Sequence, residues 1–98
     1  MSESKSHKTT ANRIAKKYNT DYNNGKGVDI ESPRAKIEVE IPDTVKDAPG
    51  QLRGHKGPCY IAGTNTEAVQ KAIEVTRGTT IGVMDNQGNI VQRSTRKK

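Results

Sequence analysis

Asp29, Glu38 and Glu40 are the residues of this 98-residue chain whose types and spacing are best suited to chemistry. In Lys36-Ile37-Glu38-Val39-Glu40-Ile41 acidic and apolar residues alternate, the period-two pattern of a β-strand. Val28-Asp29-Ile30-Glu31 reads as a second strand, and Ser32-Pro33-Arg34-Ala35 between them as a four-residue turn. The simplest register sets Glu31 opposite Lys36, Ile30 opposite Ile37 and Asp29 opposite Glu38. Opposed residues share a sheet face. Asp29, Glu38 and Glu40 then project from one face, and Val28, Ile30, Ile37, Val39 and Ile41 from the other. A one-residue slip would scramble both faces.

Like charges set opposite each other cost a sheet up to roughly 1 kcal/mol, so the acidic face needs compensation. A divalent cation is one solution. Mg²⁺ is a hard ion that prefers oxygen ligands, and it can activate water and stabilise charge on a phosphoryl group. The other solution is a wet face neutralised by Lys36, Lys26 or Arg34. The residues alone favour the second, because exposed Glu at alternate strand positions is common.

The elements that must position these residues can be traced along the chain. Ala11, Ile14, Ala15 and Tyr18 form one helical stripe, predicting a helix over Thr9–Asn19 capped by Thr9 or Thr10. Asn19–Gly27 is rich in Asn and Gly and reads as a loop. Beyond the hairpin, Val45, Ala48 and Leu52 are spaced for a helix that Pro49-Gly50 should break or distort. Cys59–Ala62 reads as a buried strand. Thr64-x-x-Glu67 is a capping box opening a helix with Val69, Ala72, Ile73 and Thr76 on its apolar face, closed by Gly78. Thr79–Met84 and Asn89–Gln92 are strands joined by a turn at Asp85–Gly88. Gly82 in a strand marks close packing or a bulge. The expected order is α-β-β-α-β-α-β-β, a small mixed β-sheet with flanking helices.

Bulk properties bound the rest. Hydrophobic residues are 30% of the chain, with no Phe or Trp, so the core is modest and the chain is one domain over 9–93. Residues 1–8 and the basic stretch 94–98 read as solvated tails, and His7 as a solvated residue of the first. The net charge is +6, from 17 Lys+Arg against 11 Asp+Glu, and a basic surface attracts polyanions, nucleic acid foremost. Cys59 is the only cysteine, which suits a reducing cytoplasm and a buried, inert thiol. No window approaches a membrane-spanning length, so no membrane partner is expected. No His/Cys spacing suggests zinc. Tyr18 and Tyr60 read as core, Tyr22 as a surface loop residue, and His55 as part of a glycine-flanked turn.

Gly27-Val28-Asp29-Ile30 followed by Lys36-Ile37-Glu38-Val39-Glu40 resembles the core motif of the PD-(D/E)XK, or restriction-endonuclease-like, nuclease superfamily. In that family an Asp begins one strand, and the next carries an acid, any residue, then usually Lys. The resemblance runs from about Thr9 to Val91 and includes the order of elements. It implies that Asp29 and Glu38 bind Mg²⁺, with Glu40 as a third ligand or base, and that Gln51 corresponds to a helix glutamine of some branches. Three departures are plain: Glu40 stands where Lys is usual, the first helix lacks an acidic residue, and Pro49-Gly50 falls where a regular helix is expected. Lys36 can stabilise developing charge, with Lys46 or Lys56 as substitutes. Arg13, Lys17, Arg53 and Lys56 would contact phosphates.

The resulting expectation is a metal-dependent nuclease hydrolysing phosphodiester bonds in DNA, of low sequence specificity or acting as a homodimer. The alternatives are a nucleic-acid-binding or assembly module on the same fold without catalysis, and an interaction protein whose acidic face is only hydrated.

Overall fold

A computed structural model describes residues 5–20, 22, 29–32, 35–52 and 57–95. The elements are α1 (Lys5–Lys17), β1 (Ile30–Glu31), β2 (Lys36–Glu40), a 3₁₀ turn (Val45–Asp47) leading directly into α2 (Ala48–Leu52), β3 (Cys59–Gly63), α3 (Thr66–Val75), β4 (Gly82–Met84) and β5 (Ile90–Gln92). The strands form one mixed sheet in the order β1-β2-β3-β4-β5. β1 is antiparallel to β2, β2, β3 and β4 are parallel, and β5 returns antiparallel to β4. The element order and the α/β class are those expected from the sequence.

The hairpin register is also as expected: Ile30 pairs with Ile37 and Glu31 with Lys36. The turn closes through the Ser32 N–H, which donates to the Ala35 carbonyl at 3.0 Å, while the Ser32 hydroxyl accepts from the Ala35 N–H at 3.1 Å. β1 begins at Ile30, so Asp29 stands just ahead of the ladder, and Val28 lies outside the described residues.

Each sheet face is covered. Ala11, Ile14 and Ala15 of α1 pack with Ile30, Ile37, Val39, Tyr60, Ala62 and Met84. On the opposite face Val45, Ala48, Leu52, Ala68 and Ala72 pack with Cys59, Ile61 and Val83. Fully burying an aliphatic side chain of this kind contributes about 1.5–3 kcal/mol. Parallel strands need crossovers, and crossovers of one hand running the same way along a sheet put their helices on one face. Both crossover helices, α2 and α3, accordingly lie opposite α1.

Several local expectations are corrected. α1 starts at Lys5 rather than at Thr9, so residues 5–8 are helical and Thr10, placed at a cap by the sequence, is buried within the helix. Pro49 does not break α2, because it stands in the first turn, where a proline forfeits no intrahelical bond. Val45, Ala48 and Leu52 are buried together as their spacing predicted. The N-cap of α3 is Asn65, not Thr64: its side-chain oxygen accepts from the Ala68 N–H at 2.8 Å. The tail starts later than residue 94, since the Ser94 hydroxyl and the Thr95 N–H both donate to the Thr80 carbonyl, at 2.7 and 3.0 Å.

Gly82 marks close packing, the first of the two roles foreseen for it. A Cβ there would run into the Tyr60 ring and lie 2.5 Å from the Gln92 carbonyl oxygen; the β4–β5 register shift falls just beyond it, at Val83/Met84. Cys59 and Tyr60 are buried, and Tyr18 is half-buried with its hydroxyl 3.9 Å from Met84 Sδ. Among the described residues no helix is long and apolar enough to cross a membrane.

Candidate functional site

The site is built where the edge strand meets the first parallel strand. Two carboxylates lock Asp29 to β2 by exchanging backbone donors. The Asp29 N–H donates to Glu38 Oε1 at 2.8 Å, and the Val39 N–H donates to Asp29 Oδ2 at 2.9 Å. Each acid thus takes an N–H from the facing segment just beyond the last residue pair of the β1–β2 ladder. Each carboxylate commits one oxygen to this clamp, and a carboxylate has two.

The wet acidic face considered from the sequence is not what forms. Glu38 is 5% exposed and Glu40 6%. The reason is β3: it pairs in parallel with β2, setting Ile61 beside Glu38 and Gly63 beside Glu40. This face of β2 and β3, the one that carries Ile61, is covered by the crossover helices α2 and α3. The face that alternation assigned to water is therefore under protein, and α2 packs on β2.

Burial has an electrostatic consequence. Burial first, and the nearby Asp29 charge second, push the Glu38 carboxyl up to about 8, although the Asp29 N–H and the more distant His7 pull the other way. Burial likewise pushes Glu40 up to about 7, opposed by a hydrogen bond from Thr44 and reinforced by Asp29. A buried acid with a raised pKa in a group of like charges is a recognised mark of a functional site. The described residues place no Lys or Arg in an ion pair with Asp29, Glu38 or Glu40.

His7 is the partner that the sequence reading missed. Its Nε2 lies 3.2 Å from Asp29 Oδ2, and the two side chains are 15% and 18% exposed. Its ring meets Tyr22 edge-on at 5.9 Å, and Tyr22 itself packs against the core. The expectation of a solvated histidine is thereby corrected. A signal was present: residues 7, 11, 14 and 18 continue one helical stripe, so extending the Ala11–Ile14–Tyr18 face by one turn reaches His7.

The basic candidates fall elsewhere. Lys36 is half-buried and its Nζ lies 4.0 Å from Glu31, its cross-strand neighbour. Arg13 donates to the Asn86 carbonyl at 2.9 Å, and Lys17 to the Gly88 carbonyl and Asn89 Oδ1, both at 3.1 Å. These two cations fasten α1 to the β4–β5 turn. Lys46 and Gln51 are exposed. Arg53, His55, Lys56, Lys26 and Arg34 lie outside the described residues.

Among the described residues, no group of three or more His, Cys, Asp and Glu side chains is arranged to hold a metal ion. The expected three-carboxylate ligand set is not assembled in this conformation. Mg²⁺ does not require one, since it keeps several waters and is commonly held by one or two carboxylates together with substrate phosphate. Asp29 and Glu38, joined by the clamp, are the pair that fits this description, with Glu40 two residues further along β2. Comparison with protein-family models, curated proteins and solved structures returns no match for the chain.

Proposed function

We propose that this chain is a small metal-dependent nuclease of the PD-(D/E)XK type that hydrolyses phosphodiester bonds in DNA. The observation that carries the reading is the pair of buried carboxylates, Glu38 and Glu40, beside Asp29, with no Lys or Arg ion-paired to them among the described residues. Burying carboxylates together is costly unless a cation compensates or a proton is retained. A divalent ion supplies that compensation and is the ingredient that phosphodiester hydrolysis needs, as a source of activated water and a partner for phosphate charge. Asp29 and Glu38 would hold Mg²⁺, and Glu40 would add a ligand or accept the proton of the attacking water. The order of elements and the placement of one acid just ahead of a strand and the others within the next support the same reading. A net charge of +6 favours approach of a polyanion. The enzyme acts with low sequence specificity or as a homodimer, in the cytoplasm.

A second reading has its own support. No three-ligand set is formed among the described residues, and the clamp already gives Asp29 and Glu38 a structural role. On that reading the same fold binds nucleic acid or assembles without cutting. A cleavage assay separates the two. Branched, duplex and single-stranded DNA would be incubated with the protein and Mg²⁺ or Mn²⁺. Metal-dependent cutting that disappears in Glu38→Gln supports the nuclease. Salt-dependent binding of uncut DNA, the same with and without metal, supports the binding module.

A further inference from the structure

We propose that His7 is the positioning residue of the acidic site, holding the Asp29 carboxylate in the orientation that closes the clamp with β2. Its role for a metal ligand rests on the function proposed above; the positioning itself does not.

Asp29 stands one residue before β1, so no ladder partner on that side fixes its side chain. A carboxylate at such a position can rotate, and freezing it costs conformational entropy. One oxygen, Oδ2, receives both the Val39 N–H at 2.9 Å and His7 Nε2 at 3.2 Å. An ionised carboxylate only accepts hydrogen bonds, so Nε2 is the donor. Two donors on one oxygen, one from the strand and one from α1, fix the carboxylate in plane and direction. The histidine is in turn restrained by the Tyr22 ring against its edge and by its seat on the buried stripe of α1. His7 and Asp29 are 22 residues apart. The described part of α1 ahead of Ala11 buries no large aliphatic side chain, and this contact gives it a purpose: it carries His7 to the sheet edge. A neutral or cationic donor suits the position. An acid there would face Asp29, Glu38 and Glu40, and both glutamates already feel His7 as a favourable neighbour.

The test uses the full chain in three forms: wild type, His7→Ala and His7→Gln, whose Nε2 can replace the donor. Amide exchange of Val39 is compared with that of Ile37, whose N–H does not involve the clamp. His7→Ala should speed exchange at Val39 by about tenfold relative to Ile37, and His7→Gln should restore most of the protection. Independently of whether His7→Ala folds, the His7 ring resonances should move in Asp29→Asn and hold still in Lys46→Ala. Unchanged Val39 exchange in a folded His7→Ala, or His7 resonances indifferent to Asp29→Asn, would overturn the positioning role. Mn²⁺ binding, read by water-proton relaxation, is the separate arm. About tenfold weaker binding in His7→Ala, rescued in His7→Gln, extends the role to the metal site. Wild type that takes up no Mn²⁺ while the amide effects appear would leave His7 positioning Asp29 and remove the nuclease reading instead.

Discussion

Asp29 and Glu38 are joined through the backbone: Glu38 Oε1 accepts the Asp29 N–H at 2.8 Å, and Asp29 Oδ2 accepts the N–H of the next residue, Val39, at 2.9 Å. Two acids that Coulomb repulsion should drive apart are thus held together by backbone donors on each other's segments. Hydrogen bonds to ionised acceptors are stronger than neutral ones, and these two offset part of the repulsion. The remaining repulsion adds to burial, the larger cause, in pushing the Glu38 carboxyl up to about 8.

Stability should fall as pH rises through the acidic site's titration range. Glu38 has a folded pKa of about 8 against 4.5 for the free side chain. Between these values the folded state holds a proton that the unfolded state has lost. The slope of unfolding free energy with pH follows protons bound unfolded minus protons bound folded, and is therefore negative here. The contribution is full below about pH 4.5 and is lost as pH approaches 8. Glu40 adds the same trend up to about 7. Each tenfold difference in proton affinity between the folded and unfolded states is worth on the order of 1.4 kcal/mol. Urea unfolding at a series of pH values in metal chelator should therefore show a decline of a few kcal/mol in total. A stability flat across this range would show that both acids stay ionised and paired.

Glu38→Gln should separate stability from function. Glutamine keeps the oxygen that accepts the Asp29 N–H and removes the charge. At pH 9, without metal, the variant should be about 1–2 kcal/mol more stable than wild type, because an unpaired buried charge is gone. At pH 5 the two should be nearly equal. On the proposed nuclease function, DNA cleavage should be lost at both. Paired denaturation and cleavage measurements check this, and a variant that is destabilised at pH 9 yet still cuts would contradict it.

Gly82→Ala should damage the sheet. The added methyl would meet the Tyr60 ring and the Gln92 backbone at distances no real Cβ shows. The obstacle includes backbone, so relief requires moving β5. A loss of roughly 2 kcal/mol or more is expected, at the upper end of overpacking effects, visible as a lower thermal midpoint. Asn89 and Gln92 amides should shift with it.

The limits of the sequence reading follow from particular residues. The hairpin register was legible because Ile30, Ile37 and Val39 can face the core in only one pairing, and the structure pairs them so. The burial of Glu38 and Glu40 was not legible. It depends on β3 lying parallel to β2, a contact between segments some 20 residues apart that local alternation does not encode. His7 was within reach, since residues 7, 11, 14 and 18 share a stripe, but a polar N-terminus with no second apolar turn reads as tail. Arg13 and Lys17 were visible as charges. Their attachment to the β4–β5 turn follows from how α1 crosses the sheet and could not be read from charge alone.

Whether the clamped acids receive a divalent cation is tested most directly by titrating Mg²⁺ into the wild-type chain near pH 8 while following the amides of Asp29, Glu38, Val39 and Glu40 by NMR. A cation held by these acids predicts saturable shifts confined to these residues and their contacts His7 and Thr44, complete by ~10 mM Mg²⁺ and absent in Glu38→Gln. Amides that stay in place to that concentration, or that drift equally across the whole chain, would contradict it.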